Sequence, residues 1–296
     1  MVRVGTFLQQ VVNGLTIGSI YALIALGYNL IFGVLNVLSF AHGALVMLGA
    51  YAMLFGLLVL NLGYAGSVLF GILGATVAGL AVERCTVRPV KSEWGVAVAT
   101  IGAALFIQYS IRRVTLGRPE PFPVPFEPIY FQLSDVARIS LLQLVLMGAS
   151  ILLTLALLWF IYRTKLGFAI RAVAQSPQIA STLGINIRQV GVRTFAIASA
   201  VAGAVGILHS IYYQSVWVFI GITLGLKGMV VIIVAGVGNI LGCVVVGIML
   251  GILEVMSVGY LWSELRDLVA YSALLLVLFV RPGGLFGEHA KVEFKA

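Results

Sequence analysis

Long apolar runs alternate with short charged clusters along the whole chain, and no Asp, Glu, Lys or Arg interrupts the stretch from Val4 to Val82. One helix needs about 20 apolar residues to cross roughly 30 Å of hydrocarbon, so that stretch alone holds two or three crossings. The runs are continuous, whereas strands of a membrane barrel alternate over about ten residues, and the pattern therefore predicts helices. With the charged clusters as punctuation, spans fall near Phe7–Phe32, Ser39–Leu60, Gly63–Val82, Gly95–Ile111, Ile139–Tyr162 and Arg193–Tyr213. A broken pair follows near Lys227–Met256, then a last span near Asp267–Val280. The predicted fold is an all-α polytopic integral membrane protein with eight or nine crossings, forming one transmembrane domain over residues 1–296.

Orientation follows from Lys and Arg in the short loops. The Glu83–Glu93 loop (Arg84, Arg88, Lys91), the Arg163–Arg193 loop (Arg163, Lys165, Arg171, Arg188, Arg193) and the tail (Arg281, Lys291, Lys295) hold most of the 18 basic residues. These are expected in the cytoplasm. Residues 112–138 are expected outside, as a polyproline-like strip set by Pro119, Pro121, Pro123, Pro125 and Pro128. Alternating crossings then leave the N-terminus outside. That end lacks the basic region and cleavage site of a removable signal, so the first apolar segment is expected to stay in the membrane. The Gly236–Asn239 turn (GVGN) divides the penultimate stretch into two short or partly inserted helices. Helices broken at membrane depth survive where protein or a cavity satisfies their backbone, which directs attention to a translocation path.

Composition narrows the function class. Of 296 residues, 61% are hydrophobic and 9% charged, against about 25% charged in soluble domains. The net charge of +8 is spread among apolar runs and forms no basic patch with interleaved aromatics, so no nucleic-acid partner is expected. Cys85 and Cys243 have no CxxC or His-rich setting and read as packing thiols, not as metal ligands. No phosphate loop, nucleophile elbow, HExxH motif or paired intramembrane carboxylates are present, so neither an enzyme nor a bound cofactor is expected. Gly225–Gly228 (GLKG) lacks the residues of an ATP-binding loop, and no potassium-channel-like filter segment occurs.

Polar residues inside apolar spans are the candidates for a solute path, because they are costly there and tend to face cavities. Asn36, Ser39, His42 and Gly43 cluster in one break, and Gly236 and Asn239 form the other. Ser39 is placed as an N-cap, and a bulky residue at Gly43 is expected to block the path while assembly persists. His209 reads as a structural histidine, and Glu254 as a paired carboxylate or one near an interface. In the Arg163–Arg193 loop, Ser176 and Pro177 open a short helix that Gly184 stops. Its face of Ile179, Ala180 and Leu183 has the amphipathic form that docks into grooves of partner proteins, the alternative being a helix that lies on the membrane surface.

Four segments, GVLNVLSFAHGALVMLG (33–49), GFAIRAVAQSPQIASTLGIN (167–186), GVGNILG (236–242) and RPGGLFG (281–287), resemble the LivH-type permease subunits of ABC importers for branched-chain or hydrophobic amino acids. The resemblance runs over nearly the whole chain. It implies a type II-like importer permease in a bacterial inner membrane, paired with a second related permease, two cytoplasmic ATP-binding subunits and an external solute-binding protein. It also implies that the loop carrying Arg171, Ala172, Pro177, Ile179, Ala180, Leu183 and Gly184 couples to an ATPase. Relatives of such permeases also carry urea or short amides. From the residues alone, an ATP-independent secondary transporter or channel is the competing reading.

Overall fold

The computed structural model describes residues 2–90, 92–126, 129–132, 138–260, 262 and 265–287. Its helices are α1 (Val2–Leu35), α2 (Ala41–Leu58), α3 (Gly63–Val82), α4 (Glu93–Thr115), α5 (Leu141–Arg163), α6 (Lys165–Gln175), α7 (Pro177–Thr182), α8 (Ile187–Tyr213), α9 (Ile220–Ala235), α10 (Ile240–Tyr260) and α11 (Leu265–Val280). A single π-helical turn, Glu83–Val87, extends α3. Among the described residues, seven helices are long and apolar enough to cross a membrane, and α9 and α11 are 16 residues each. The expected broken pair is thus α9 and α10, joined at Gly236–Asn239. The pair opens seven residues earlier than Lys227, which lies inside α9 instead of at its mouth.

Local chemistry fixes several helix starts. Ser140 and Gln143 form a reciprocal capping box on α5. Ser92, Thr164, Ser176 and Asn186 cap α4, α6, α7 and α8 through their side-chain oxygens. Ser39 does not act this way: α2 begins at Ala41 after Phe40, and only the Ser39 carbonyl accepts a bond, from His42 N at 3.2 Å.

The centre of the bundle is α1, apolar on every side and enclosed by α5, α8, α9 and α10. Close approach to α10 rests on glycines. A Cβ at Gly14 would lie 2.7 Å from Ile252 Cα, and one at Gly247 would lie 2.6 Å from Ala22 Cα. Small residues of this kind let helix backbones touch, which replaces the hydrophobic drive that lipid removes. On the periphery, α3, α4 and α5 keep apolar faces outward, with Leu73, Val98, Phe106 and Leu152 exposed. Hydrocarbon accommodates such faces without cost.

The connections sort to two ends of the bundle. Asn36 Nδ2 donates to Glu93 Oε1 at 3.5 Å, Gly238 N to Asn29 Oδ1 at 3.0 Å, and Leu285 N to the Val234 carbonyl at 2.7 Å. These bonds put the 36–40 and 236–239 turns, the start of α4 and the 281–287 segment at one end, with α6 and α7. At the other end β1 (Glu120–Pro121) pairs antiparallel with β4 (Ser215–Val216), and β2 (Tyr130–Gln132) with β3 (Arg138–Ser140). The proline-rich segment therefore differs from the expected unpaired strip. It is extended, but Phe122 N donates to the Gln214 carbonyl at 3.0 Å and its ring is buried. Of the charged residues used for orientation, Lys91, Lys291 and Lys295 lie outside the described residues, as does Pro128.

Candidate functional site

The polar residues of the first break are dispersed. Asn36, with φ 52°, is exposed at the turn after α1. Ser39 and His42 are buried, and neither the Ser39 hydroxyl nor either His42 ring nitrogen has a hydrogen-bond partner among the described residues. The His42 ring packs edge-on against Tyr28 at 4.5 Å between centroids. Gly43 lies at the crossing of α2 and α9, where a Cβ at Gly221 would lie 2.5 Å from the Gly43 carbonyl oxygen. An apolar cavity of about 170 Å³ opens beside this crossing, but its wall on this side is made by Phe40, Ala44 and Met47, facing Gln108 and Met229.

Gly236 and Asn239 have a different occupation. Gly236, with φ 95°, receives the 281–287 segment: a Cβ there would lie 2.6 Å from Gly287 N. Asn239 Nδ2 donates to the Phe286 carbonyl at 2.8 Å, and its Oδ1 accepts from Gly242 N at 2.8 Å, starting α10. Two glycine-rich motifs 45 residues apart in sequence thus close on each other.

The loop helices are placed as follows. α6 buries Ile170 and Val173, while Arg171 lies over the Tyr162 ring at 5.2 Å and lines a hollow of about 250 Å³ with Asn29 and Gly238. In α7, Pro177 is at the first turn and Gly184, with φ 82°, follows the stop. Ile179 and Leu183 are 62% and 74% exposed, but Ala180 is 1% exposed, turned into this chain's own interior. The outward face is therefore Ile179 with Leu183, one helical turn apart, and Ala180 is a packing residue.

The most polar interior site was not singled out by sequence. Lys227 of α9 and Glu254 of α10 are both buried, with Nζ 2.9 Å from Oε1. Tyr21 of α1 bridges them, accepting from Lys227 Nζ at 3.2 Å and donating to Glu254 Oε1 at 3.0 Å. Arg266 of α11 donates to Glu254 and to the Tyr213 hydroxyl, and Asp267 Oδ1 lies 3.1 Å from Lys227 Nζ. The network balances two cations against two carboxylates, which is how charge persists where hydration is absent. It forms one wall of a cavity of about 320 Å³ between α8 and α9, which His209, Tyr213 and Trp217 complete. Glu254 is paired, as expected. Lys227 lies in the middle of α9, where a lysine in a glycine-rich apolar run resembles a span boundary. The signal was available: one lysine and one glutamate, each alone in an apolar helix, with opposite charge.

Residues 10–278 match the family model for "Branched-chain amino acid transport system / permease component". The chain is 34% identical to the high-affinity branched-chain amino acid transport system permease protein LivH of Salmonella typhimurium, over 95% of this chain and 96% of that one. LivH of Escherichia coli gives the same identity and coverage, and BraD of Pseudomonas aeruginosa is 31% identical over 95% of this chain and 96% of its own. Among solved structures, PsaBC from Streptococcus pneumoniae in complex with Fab has a similar fold, with a TM-score of 0.53 at 14% identity over 94% of this chain and 92% of that chain.

Proposed function

The chain belongs to the family of branched-chain amino acid transport permeases, and from that membership we propose that its bundle forms one half of a solute path through a bacterial inner membrane. It is a multi-pass ABC importer permease. Its partners in this reading are a related second permease, two cytoplasmic ATP-binding subunits and an external protein that delivers a branched-chain amino acid. The end carrying α6, α7 and the 281–287 segment is assigned to the cytoplasm, and the end carrying the four short strands to the outside.

The observation that carries this reading is α7. A six-residue helix that, with its C-cap Leu183, leaves Ile179 and Leu183 in the open at the basic end of an apolar bundle is unfinished without a partner groove. When the ATPases close, a force on α7 passes directly into α8 and, through α6, toward α1. Packed interfaces switch between discrete arrangements, so a small displacement there changes which end of the cavity is open.

Two experiments test the assignment. Cysteine placed at exposed Gln178, in a background lacking exposed Cys85, is expected to react with a membrane-impermeant thiol reagent only in inverted vesicles. Labelling from the outside of intact cells reverses the orientation. Changing both Ile179 and Leu183 to Asp alters the exposed face alone. The permease is expected to reach the membrane in normal amount, to lose its co-purifying ATPases by more than tenfold, and to support no ATP-driven leucine uptake. A tenfold loss corresponds to about 1.4 kcal/mol of docking energy, well within the reach of two lost apolar anchors. Full retention of ATPases and uptake would remove α7 from the coupling path.

A further inference from the structure

We propose that the cavity between α8 and α9 at the outer end is a binding subsite for the free amino acid, in which Arg266 and Lys227 hold its carboxylate. This rests on the importer reading above and assigns the substrate's charged end to named side chains.

The cations come first. Lys227 directs its three donors to Tyr21, Glu254 and Asp267, so it is fully engaged. Of these partners Asp267 is the odd one, since its side chain is 57% exposed while Glu254 is fully buried. Burying the lysine requires Glu254; an exposed carboxylate reaching inward occupies a place that another carboxylate can take. Arg266 uses Nε for Glu254 and one Nη2 proton for Tyr213, which leaves N–H groups on its outer edge for an incoming anion. Guanidinium offers two parallel donors to a carboxylate, a match that an amide or an alcohol cannot reproduce.

The rest of the cavity suits the remainder of such a ligand. His209 Nδ1 lines it without a hydrogen-bond partner among the described residues, and in the tautomer protonated at Nε2 that atom accepts from an ammonium group. Ile220 and Leu224, both buried, provide an aliphatic wall, and the partly exposed Trp217 adds to the lining. A zwitterion with a short branched side chain meets each requirement. The cavity lies at the end assigned to the outside, where a solute released by a delivery protein first enters the bundle.

The test measures binding of radiolabelled leucine to the purified permease–ATPase complex without the delivery protein, with leucinamide and isoamylamine as competitors, alongside ATP-driven uptake. Saturable leucine binding is expected, with neither competitor displacing it. Arg266→Gln is expected to lower affinity at least tenfold with assembly intact, since Arg266 is partly exposed and Glu254 keeps its buried partners Lys227 and Tyr21, whereas loss of the buried Lys227 removes the innermost cation. Arg266→Lys retains the charge but not the paired donors, and is expected to lose affinity also, which covers the case in which the glutamine variant does not assemble. Equal competition by leucinamide, unchanged binding and uptake in both variants, or a wild-type complex that transports leucine without saturable binding would each overturn the subsite. A wild-type complex that binds leucine but shows no ATP-driven uptake would instead sink the importer reading and leave the subsite standing.

Discussion

Lys227→Met is expected to lower the amount of folded permease more than tenfold, because it leaves Glu254 buried with one cation partner fewer at membrane depth. Removing one member of a buried ion pair costs about 3–5 kcal/mol, most of it the penalty of the charge left behind. Glu254→Gln is expected to do comparable harm, since Lys227 then keeps only Tyr21 and the exposed Asp267. The double variant Lys227→Met, Glu254→Gln removes both charges and is expected to recover much of the folded protein while losing leucine uptake. Extraction in mild detergent and size-exclusion profiles give the amounts. Additive losses in the double variant would show that the two side chains do not form one unit.

Gly43→Leu has the other large expected effect. At this crossing the backbones of α2 and α9 touch, with Gly43 against Gly221 and Gly225. A side chain there meets a carbonyl of a packed helix, which cannot rotate away as a flexible side chain would. Overpacking a tight core costs about 1–3 kcal/mol and more where backbone must move. The structure thus changes the outcome foreseen from sequence: the expected result is loss of monodisperse protein, not a well-assembled complex with a blocked path. Normal yield of an assembled but inactive complex would return Gly43 to the path.

The contrast between these two positions shows what the sequence makes legible. Membrane spans and the cap at Ser176 are local properties, written in runs of apolar residues and in a side chain three positions from the group it bonds. The family is legible for a similar reason, because its motifs are contiguous. The interior of the site is not local. Tyr21 and Glu254 are 233 residues apart, and nothing near either names the other. Lys227 looks like a span boundary because lysine usually is one. Ala180 and Ile179 are neighbours in an exposed loop, and only the packing of α7 on α8 turns one inward and leaves the other free. Gly236 and Asn239 read as a break, and their partner, the 281–287 segment, lies beyond the next two helices.

That last contact imposes an order on biogenesis. The final carbonyls of α9, Val234 and Ala235, accept from Leu285 and Phe286, which the ribosome adds about fifty residues later. Helix ends leave such carbonyls unsatisfied, and Val234 and Ala235 are buried in the bundle. Until residues 285 and 286 have been made, those two carbonyls lack these partners, so this end of the bundle closes only after α10 and α11 have been synthesised. The glycine pair Gly236 and Gly284 acts as a clasp that only a chain extending past α11 can fasten, so a chain that stops short of residues 281–287 is distinguishable by the backbone groups it still exposes.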